Sequence, residues 1–572
     1  MIKSYYMLRL SIKIDIKYDC TNILIYSNMT KRKRDDYIRA SSVSNCILND
    51  KLVDYLHINK TDKNISNEYI MRQGNIFEEE LIKIIKKKHN VITLSNINDT
   101  KENKFNETKK LIADNNNIIY QGYLYDKENN IGGSPDLLVK STYVNKLMNN
   151  IIILENEQMI NDKDYYVVID IKHSNINYDA FSYIKNDNRI PAYKSQLYIY
   201  TKILNQIQGI NINKAYIWAK SYNKDNTNFL NNLGVIDYDT IDKNSIDDTN
   251  KAIRWLKNLY TDYDNIMIEE DLELYPNMKS NTFIKDKNEI NKNINDITTI
   301  WNCGVKKRKI AHDNNIYSWK DENLTAEILG FKNNKAQIIN NILDINRQEE
   351  CKIKIINKIH DNIIHNNNLI IYLDFEGFSN NLQSKIKAGV IRTSEYYIYM
   401  IGIGYMANDK WCYKSFILEK LDQVKQEQLF QSLFYYLRSL LRSLKKNKIN
   451  FYHWSNYEKT HFNKIKENIK LCLTDDVYEF TDLCKIFQNS VVIKDAFNFK
   501  LKTISKALYN HSLIDTHYDD TNQCANGLDA SILALESYDT NNMIIMKDIE
   551  KYNEIDCKLL HSLHYLLQKL SI

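Results

Sequence analysis

Two apolar, β-branched runs carry charged side chains at alternate positions: "VVIDIKHS" at 167–174 and "NLIIYLDFEGF" at 368–378. Successive side chains of a strand point to opposite faces, so Asp170 and Lys172 share one face while Ile169 and Ile171 share the other. Asp374 and Glu376 share a face in the same way, alternating with Phe375. Burying charged groups costs several kcal/mol unless geometry and partners compensate. Each run therefore marks either a structural ion pair or a site.

At 572 residues and 43% hydrophobic content the chain exceeds what one core serves, and about two to four domains are expected. Ile70, Phe77, Leu81, Ile84 and Ile85 recur at helical spacing, predicting a helix over 66–88 whose terminal "KKKHN" suits a helix C-terminus. Strand-like runs follow near 118–125, 135–140, 165–172 and 214–219, with a helix across 192–205. The expected organisation is an N-terminal segment to residue 60, an α/β domain over 61–230 with a polar, Asn-rich insertion at 141–164, a helical connector over 231–365, and a second α/β domain over 366–572. The connector's apolar positions cluster in "AIRWLKNLY" and "LTAEILGF". "LRLSIKIDI", before Met29, alternates as a half-buried strand would, although Met29 itself is an alternative start.

Net charge is only +5, from 77 basic against 72 acidic residues, so attraction to phosphates must come from local patches. The nine cysteines are scattered without a C-x-x-C pair, which fits a reducing, intracellular setting and argues against a zinc or disulfide framework. Charges at Lys3, Arg9, Lys13, Asp15 and Lys17 interrupt the start, excluding a signal-peptide core, and no run is long enough to span a membrane. "KRKR" at 31–34 is a solvated basic run or a nuclear address. No glycine is placed as a phosphate-binding G-x-x-x-x-G-K-[ST] loop requires, so ATP is not an expected cofactor.

Asp136, in "GGSPDLLVK", and Asp170 both stand near strand starts, where their carboxylates can meet. Facing carboxylates suit a hard cation such as Mg²⁺ or Mn²⁺, which binds one or two carboxylates together with phosphate oxygens. Such an ion acidifies water and neutralises charge on a phosphate, while Lys172 is placed to stabilise the transition state. Proline–aspartate, Asp-x-Lys on a strand, then Gln196 and Tyr200 four apart in "SQLYIY" resemble the PD-(D/E)XK nuclease superfamily, RecB-like branch. The resemblance implies a restriction-endonuclease-like α/β core and a further metal ligand from the preceding helix. "QGNIFEEEL" offers Glu78 for that role, with Glu79 and Glu80 adjacent. The iron–sulfur cluster of some relatives needs grouped downstream cysteines that this chain lacks, so none is expected.

Tyr552 and Asp556 in "YNEID" are four apart on a predicted helix and therefore neighbours. With Asp374 and Glu376 they resemble the RNase H-like 3′–5′ exonucleases named for four acids, in the variant ending in Y-x-x-x-D. That resemblance implies a mixed-sheet fold, two metal ions, and a tyrosine positioning the attacking water. For the middle acid, "YHWSNYEKTHF" offers Glu458 where an aspartate is usual, and Asp482 in "FTDLCKIF" competes, although it is equally a helix N-cap.

The order of the two domains resembles a known fusion, and "SWKDENLTAEILGF" resembles the helical segment between them. DNA is the expected substrate, with two alternatives: RNA, because neither acid set reads the 2′-hydroxyl, and a catalytically impaired nucleic-acid-binding scaffold. Lys83, Lys86, Lys87 and Lys88 and "VKKRK" at 305–309 are candidate phosphate contacts. A separate helicase is an admissible partner. The Asn-, Ile-, Lys- and Tyr-rich composition resembles proteins of large DNA viruses of protists, implying end processing, recombination or repair.

Overall fold

Val167, Ile169 and Ile171 face one way and Tyr166 and Val168 the other, and helices cover both sides of the strand they form. That double cover is why the run is apolar throughout. The computed structural model describes residues 36–62, 65–94, 99–148, 164–222, 233–268, 270–359, 367–378, 384–387, 390–393, 396–466, 474, 476–518 and 527–571. "LRLSIKIDI", "KRKR" and the centre of the Asn-rich insertion lie outside these residues. The protein is mixed α/β, and no helix among the described residues is long and apolar enough to cross a membrane.

The N-terminal lobe contains, in chain order, α1 (Ile65–Lys88), β1 (Ile92–Thr93), β2 (Ile118–Tyr120), β3 (Leu137–Lys140), β4 (Tyr166–Ile176), α2 (Ile190–Gln208), β5 (Lys214–Tyr222), β6 (Gly234–Asp237) and α3 (Asn244–Asp262). The strands form one sheet in the order β1-β2-β3-β4-β5-β6. β4 runs antiparallel to β3, with Leu137 opposite Ile169, and parallel to β5, with Ile169 opposite Tyr216. α1 packs Phe77, Leu81 and Ile85 on one face, and α2 packs Leu197, Tyr200 and Leu204 on the other.

The lobe extends beyond the expected limits of 61 and 230. Ile38, Ala40 and Val43 enter its core at the front, while β6 pairs with β5 and α3 buries Ala252, Leu256 and Leu259 against the same core. "AIRWLKNLY" thus belongs to this lobe and not to the connector.

The following segment carries helices Ile284–Ile294, Val305–Asp313 and Asn333–Arg347 around an apolar core including Ile297, Leu324, Leu329 and Leu343. "SWKDENLTAEILGF" departs from the helical expectation and runs as turns. The Arg347 guanidinium donates to the carbonyls of Trp319 (3.0 Å), Asp321 (2.6 Å) and Leu324 (2.9 Å), and Gly330 sits at φ +71°. Carbonyls captured this way are lost to a helix ladder.

The C-terminal lobe comprises β7 (Leu369–Gly377), β8 (Ile398–Ala407), β9 (Lys410–Ile417), α4 (Gln423–Ser443), β10 (Ile449–His453), α5 (Tyr457–Lys466), β11 (Tyr478–Asp482), α6 (Leu483–Ser490), α7 (Leu501–Asn510), α8 (Gly527–Thr540) and α9 (Ile544–Leu570). Its sheet order is β9-β8-β7-β10-β11. β8 is antiparallel to both neighbours, whereas β10 runs parallel to β7 and β11. Met546, Ile549, Tyr552, Asp556, Leu559 and Leu563 are all buried at three- and four-residue spacing, so α9 carries Asp556 on the stripe it turns inward.

α1 also joins the lobes. Its first turns place Tyr69 in the core of the C-terminal lobe, Ser66 donates to Asp529 on α8, and Arg72 pairs with Glu536 at 2.9 Å.

Candidate metal centres

In the N-terminal lobe the pleat of β4 turns Asp170 and Lys172 toward α2, where they form an ion pair. Asp136 precedes β3, and its carboxylate accepts the Ile171 N–H at 2.6 Å. Burial and then the charge of Asp170 push the Asp136 carboxyl well above the usual range; Lys172 opposes this and Glu78 adds to it. Burial disfavours the Lys172 ammonium, but Asp170 and Asp136 outweigh it and hold the proton more tightly than usual. The β4–β5 register shifts between Lys172 and Asn175, a bulge immediately beyond the site.

Of the three consecutive glutamates on α1, Glu78 faces this cluster and Glu79 faces solvent. Glu78 Oε1 accepts from the Tyr120 hydroxyl at 2.9 Å and the Gln121 amide at 3.0 Å. The Gln121 N–H donates to the Asp136 carbonyl at 2.9 Å, tying α1 to the turn that carries Asp136. Gln121 itself sits at φ +54°, a conformation that surroundings must enforce on a residue with a side chain.

On α2, Gln196 donates to the Tyr200 hydroxyl at 3.3 Å. Burial and the Asp170 charge raise the Tyr200 phenol, which therefore keeps its proton. A Cβ on Gly133 would stand 2.8 Å from that hydroxyl, so glycine there makes room for it. Glu78, Asp136, Asp170, Lys172 and Tyr200 are thus brought together, with Gln196 joined through Tyr200.

In the C-terminal lobe Asp374, Glu376 and Asp556 each offer a carboxylate oxygen within 4.8 Å of the others. Asp374 and Glu376 come from one face of β7, and Asp556 descends from α9. Burial, then Asp556, Glu376 and Glu458, push the Asp374 carboxyl well above its usual range. Glu376 rises through burial, Asp556 and Glu458, with Asn553 and Lys502 opposing. Asp556 is raised by burial to about 6 against the pull of Tyr518, Lys502 and Tyr552.

Glu458, 4% exposed at the start of α5, lies outside the group of three, but its charge raises the proton affinity of each. Its Oε2 is buried without a hydrogen-bond partner. Asp482 is engaged elsewhere: it caps α6 by accepting the Lys485 N–H at 3.2 Å, and it accepts the Ser455 N–H at 3.1 Å.

Three further residues complete this centre. Asn553 donates to Asp374 at 2.6 Å and accepts from the Tyr413 hydroxyl at 2.9 Å. A Cβ on Gly402 would overlap that Asn553 amide. The Tyr518 hydroxyl donates to Asp556, and its ring stacks on Tyr552 with centroids 5.8 Å apart. The Lys502 ammonium lies 4.6 Å from both ring centroids. Asn553 was readable from the sequence, three residues before Asp556 and so on the same helix face. Tyr518, Lys502, Tyr120 and Gln121 carried no such signal.

In the basic run at 305–309, Lys306 and Lys309 are exposed, while Lys307 and Arg308 turn inward. Arg308 is buried and donates to Tyr275 O, Pro276 O and Asp296, while Lys307 holds the Leu329 carbonyl. Neither is presented to a phosphate. Lys83, Lys86, Lys87 and Lys88 are exposed on α1.

No protein-family model matches the sequence, and comparison with curated proteins gives no match.

Proposed function

We propose that the chain is a metal-dependent nuclease that hydrolyses phosphodiester bonds of DNA at two centres, one per lobe. The observation that carries this reading is the convergence of Asp374, Glu376 and Asp556, from a strand and a helix about 180 residues apart in sequence, into one group within 4.8 Å in which Glu376 and Asp556 are buried and Asp374 half-buried. Carboxylates so crowded repel one another and raise one another's proton affinity. A divalent cation in place of those protons relieves the repulsion, and the buried Glu458 carboxylate, whose Oε2 lies 3.6 Å from His453 Nδ1, extends the same acidic surroundings.

The C-terminal acids fit Mg²⁺ or Mn²⁺, forming the one group of three among the described residues whose ligand atoms all lie within 4.8 Å of one another, whereas in the N-terminal lobe Glu78, Asp136 and Asp170 do not meet that spacing. Asp136 and Asp170 with Glu78 would hold an ion in the N-terminal lobe; Asp374, Glu376 and Asp556 with Glu458 would do so in the C-terminal lobe. When bound, a divalent ion supplies Lewis acidity, neutralising charge on the scissile phosphate and making water a stronger acid. Lys172 keeps a positive charge beside Asp170, where it stabilises negative charge developing on phosphoryl oxygens. Tyr552, hydrogen-bonded to Asp556, orients a water with its hydroxyl, and Lys502 supplies a fixed cation against the same acids.

The chain order of the elements supports the finer reading. α1 followed by β2, β3 and β4, then α2 and the parallel β5, is what a PD-(D/E)XK nuclease core requires. Strand order β9-β8-β7-β10-β11 with β8 alone reversed is what an RNase H-like exonuclease requires. The test is incubation of the protein and its Asp170→Ala and Asp374→Ala variants with end-labelled single- and double-stranded DNA and RNA in Mg²⁺, Mn²⁺ or EDTA. DNA shortening in metal and not in EDTA, reduced by each substitution, supports the proposal. Intact DNA in both metals refutes it, and cleavage confined to RNA refutes the substrate assignment.

A further inference from the structure

Lys502 stands in the first turn of α7, half-buried, with its ammonium 4.6 Å from the ring centroids of both Tyr518 and Tyr552. The two rings stack with centroids 5.8 Å apart and planes 28° from parallel, and the Tyr518 hydroxyl donates to Asp556. Ring faces attract an ammonium and fix its place without cancelling its charge. From there the lysine acts on two acids of the centre, lowering the proton affinity of Glu376 on β7 and of Asp556 on α9 against the effect of burial. An aromatic clamp thus holds one positive charge beside the group that gathers Asp374, Glu376 and Asp556.

The charges of the centre indicate what that cation serves. Asp374, Glu376 and Asp556 with the adjoining Glu458 carry four negative charges when ionised. They would be balanced by two divalent ions, the number that two-metal phosphodiester chemistry employs. Lys502 then adds one positive charge beyond balance, and a phosphodiester linkage carries one negative charge. Tyr552, whose ring the ammonium covers, is four residues before Asp556 and so its neighbour on α9. A phosphate among the acids therefore adjoins the lysine.

We propose that the Lys502 ammonium contacts a non-bridging oxygen of the phosphodiester bound at the second centre, and so makes the C-terminal lobe discriminate an anionic terminal linkage from a neutral one. This contact rests on the nuclease reading of the lobe, and its placing at a 3′ end follows the exonuclease resemblance. A lysine that served only to offset the acids would be indifferent to the charge of the linkage.

The test is fluorescence-anisotropy titration of the full chain in Ca²⁺ with single-stranded oligonucleotides that are unmodified or carry one uncharged methylphosphonate, either at the 3′-terminal linkage or at an internal one. The wild type is expected to bind the terminally neutral strand about tenfold more weakly than the internally neutral strand. Lys502→Met, which keeps an apolar stem against the rings, is expected to bind those two equally and the unmodified strand about tenfold more weakly than the wild type does. A melting curve matching the wild type verifies its fold, and Lys502→Gln is read in its place if methionine lowers the melting temperature. A wild type that binds the two modified strands equally overturns the proposal, as does a variant that keeps the wild-type preference or a wild type that binds no DNA. The expected preference in a protein that cleaves no DNA in Mg²⁺ upholds the contact and refutes hydrolysis alone. Cleavage without the preference refutes the contact alone.

Discussion

Asp556→Asn is expected to stabilise the metal-free protein at neutral pH, and to do so only above acid pH. Burial raises the Asp556 carboxyl from 3.8 to about 6, after the opposing bonds from Tyr518 and Tyr552 and the Lys502 charge are included. Because the folded-state value lies above the unfolded one, the folded chain holds this proton more tightly. That contribution to stability is complete below about pH 3.8, falls as pH rises, and is lost above about pH 6. The full difference is about 3 kcal/mol. Asparagine keeps an oxygen to accept the Tyr518 hydroxyl and carries no charge to bury. For a lobe of about 200 residues, at roughly 2–4 °C per kcal/mol, the variant should melt up to about 6–12 °C higher than the wild type at pH 8 in EDTA, and equal to it near pH 4. Saturating Mg²⁺ should reverse the order, because the wild type gains a bound ion and the variant lacks a ligand. Calorimetric melting from pH 4 to 8, with and without metal, reads both effects. A variant melting at or below the wild type at pH 8 in EDTA, or a difference that does not vary with pH, refutes the argument.

Lys172→Met leaves Asp136 and Asp170 without their cation, and removing one partner of a buried pair costs about 3–5 kcal/mol; urea unfolding should show that loss, partly recovered by Mn²⁺. Gly402→Ala drives a methyl into the Asn553 amide, so Asn553 leaves Asp374; a loss of about 1–3 kcal/mol and of cleavage by the C-terminal lobe is expected, and an unaltered variant contradicts the assigned packing. Tyr69→Ala and Arg72→Ala separate packing from surface charge where α1 meets α8. Tyr69 is 4% exposed and its loss should cost about 3–5 kcal/mol. The Arg72–Glu536 pair is largely exposed, and its loss should cost less than about 1 kcal/mol by the same unfolding measurement.

The strands at 166–176 and 369–377 were legible because β-branched runs with charges at alternate positions admit few other conformations. The same alternation put Asp170 with Lys172 and Asp374 with Glu376 on common faces, and helical spacing placed Tyr552 with Asp556. The limit of the first lobe was not legible, because "GVID" at 234–237 is a four-residue strand, too short to show a period. "LTAEILGF" has helix-like apolar spacing, and only the tertiary reach of Arg347 into its neighbouring carbonyls explains why turns form there. Glu78 and Glu458 were already offered by the sequence, but the bonds of Glu78 to Tyr120 and Gln121, and of Asp482 to the Ser455 and Lys485 N–H groups, join residues from different elements and left no pattern to read. Tyr518 and Lys502 reach Asp556 only through packing, and sequence spacing carries no trace of that.

The central claim is that two separate acid sets each hold a cation. Electron paramagnetic resonance titration with Mn²⁺ measures this directly, by counting bound ions in the wild type and in the Asp170→Ala, Asp374→Ala and doubly substituted proteins. Tight binding in the wild type, reduced by each single substitution and abolished in the double variant, is the predicted result. A wild type that leaves Mn²⁺ free in solution, or a double variant that binds as many ions as the wild type, contradicts the account.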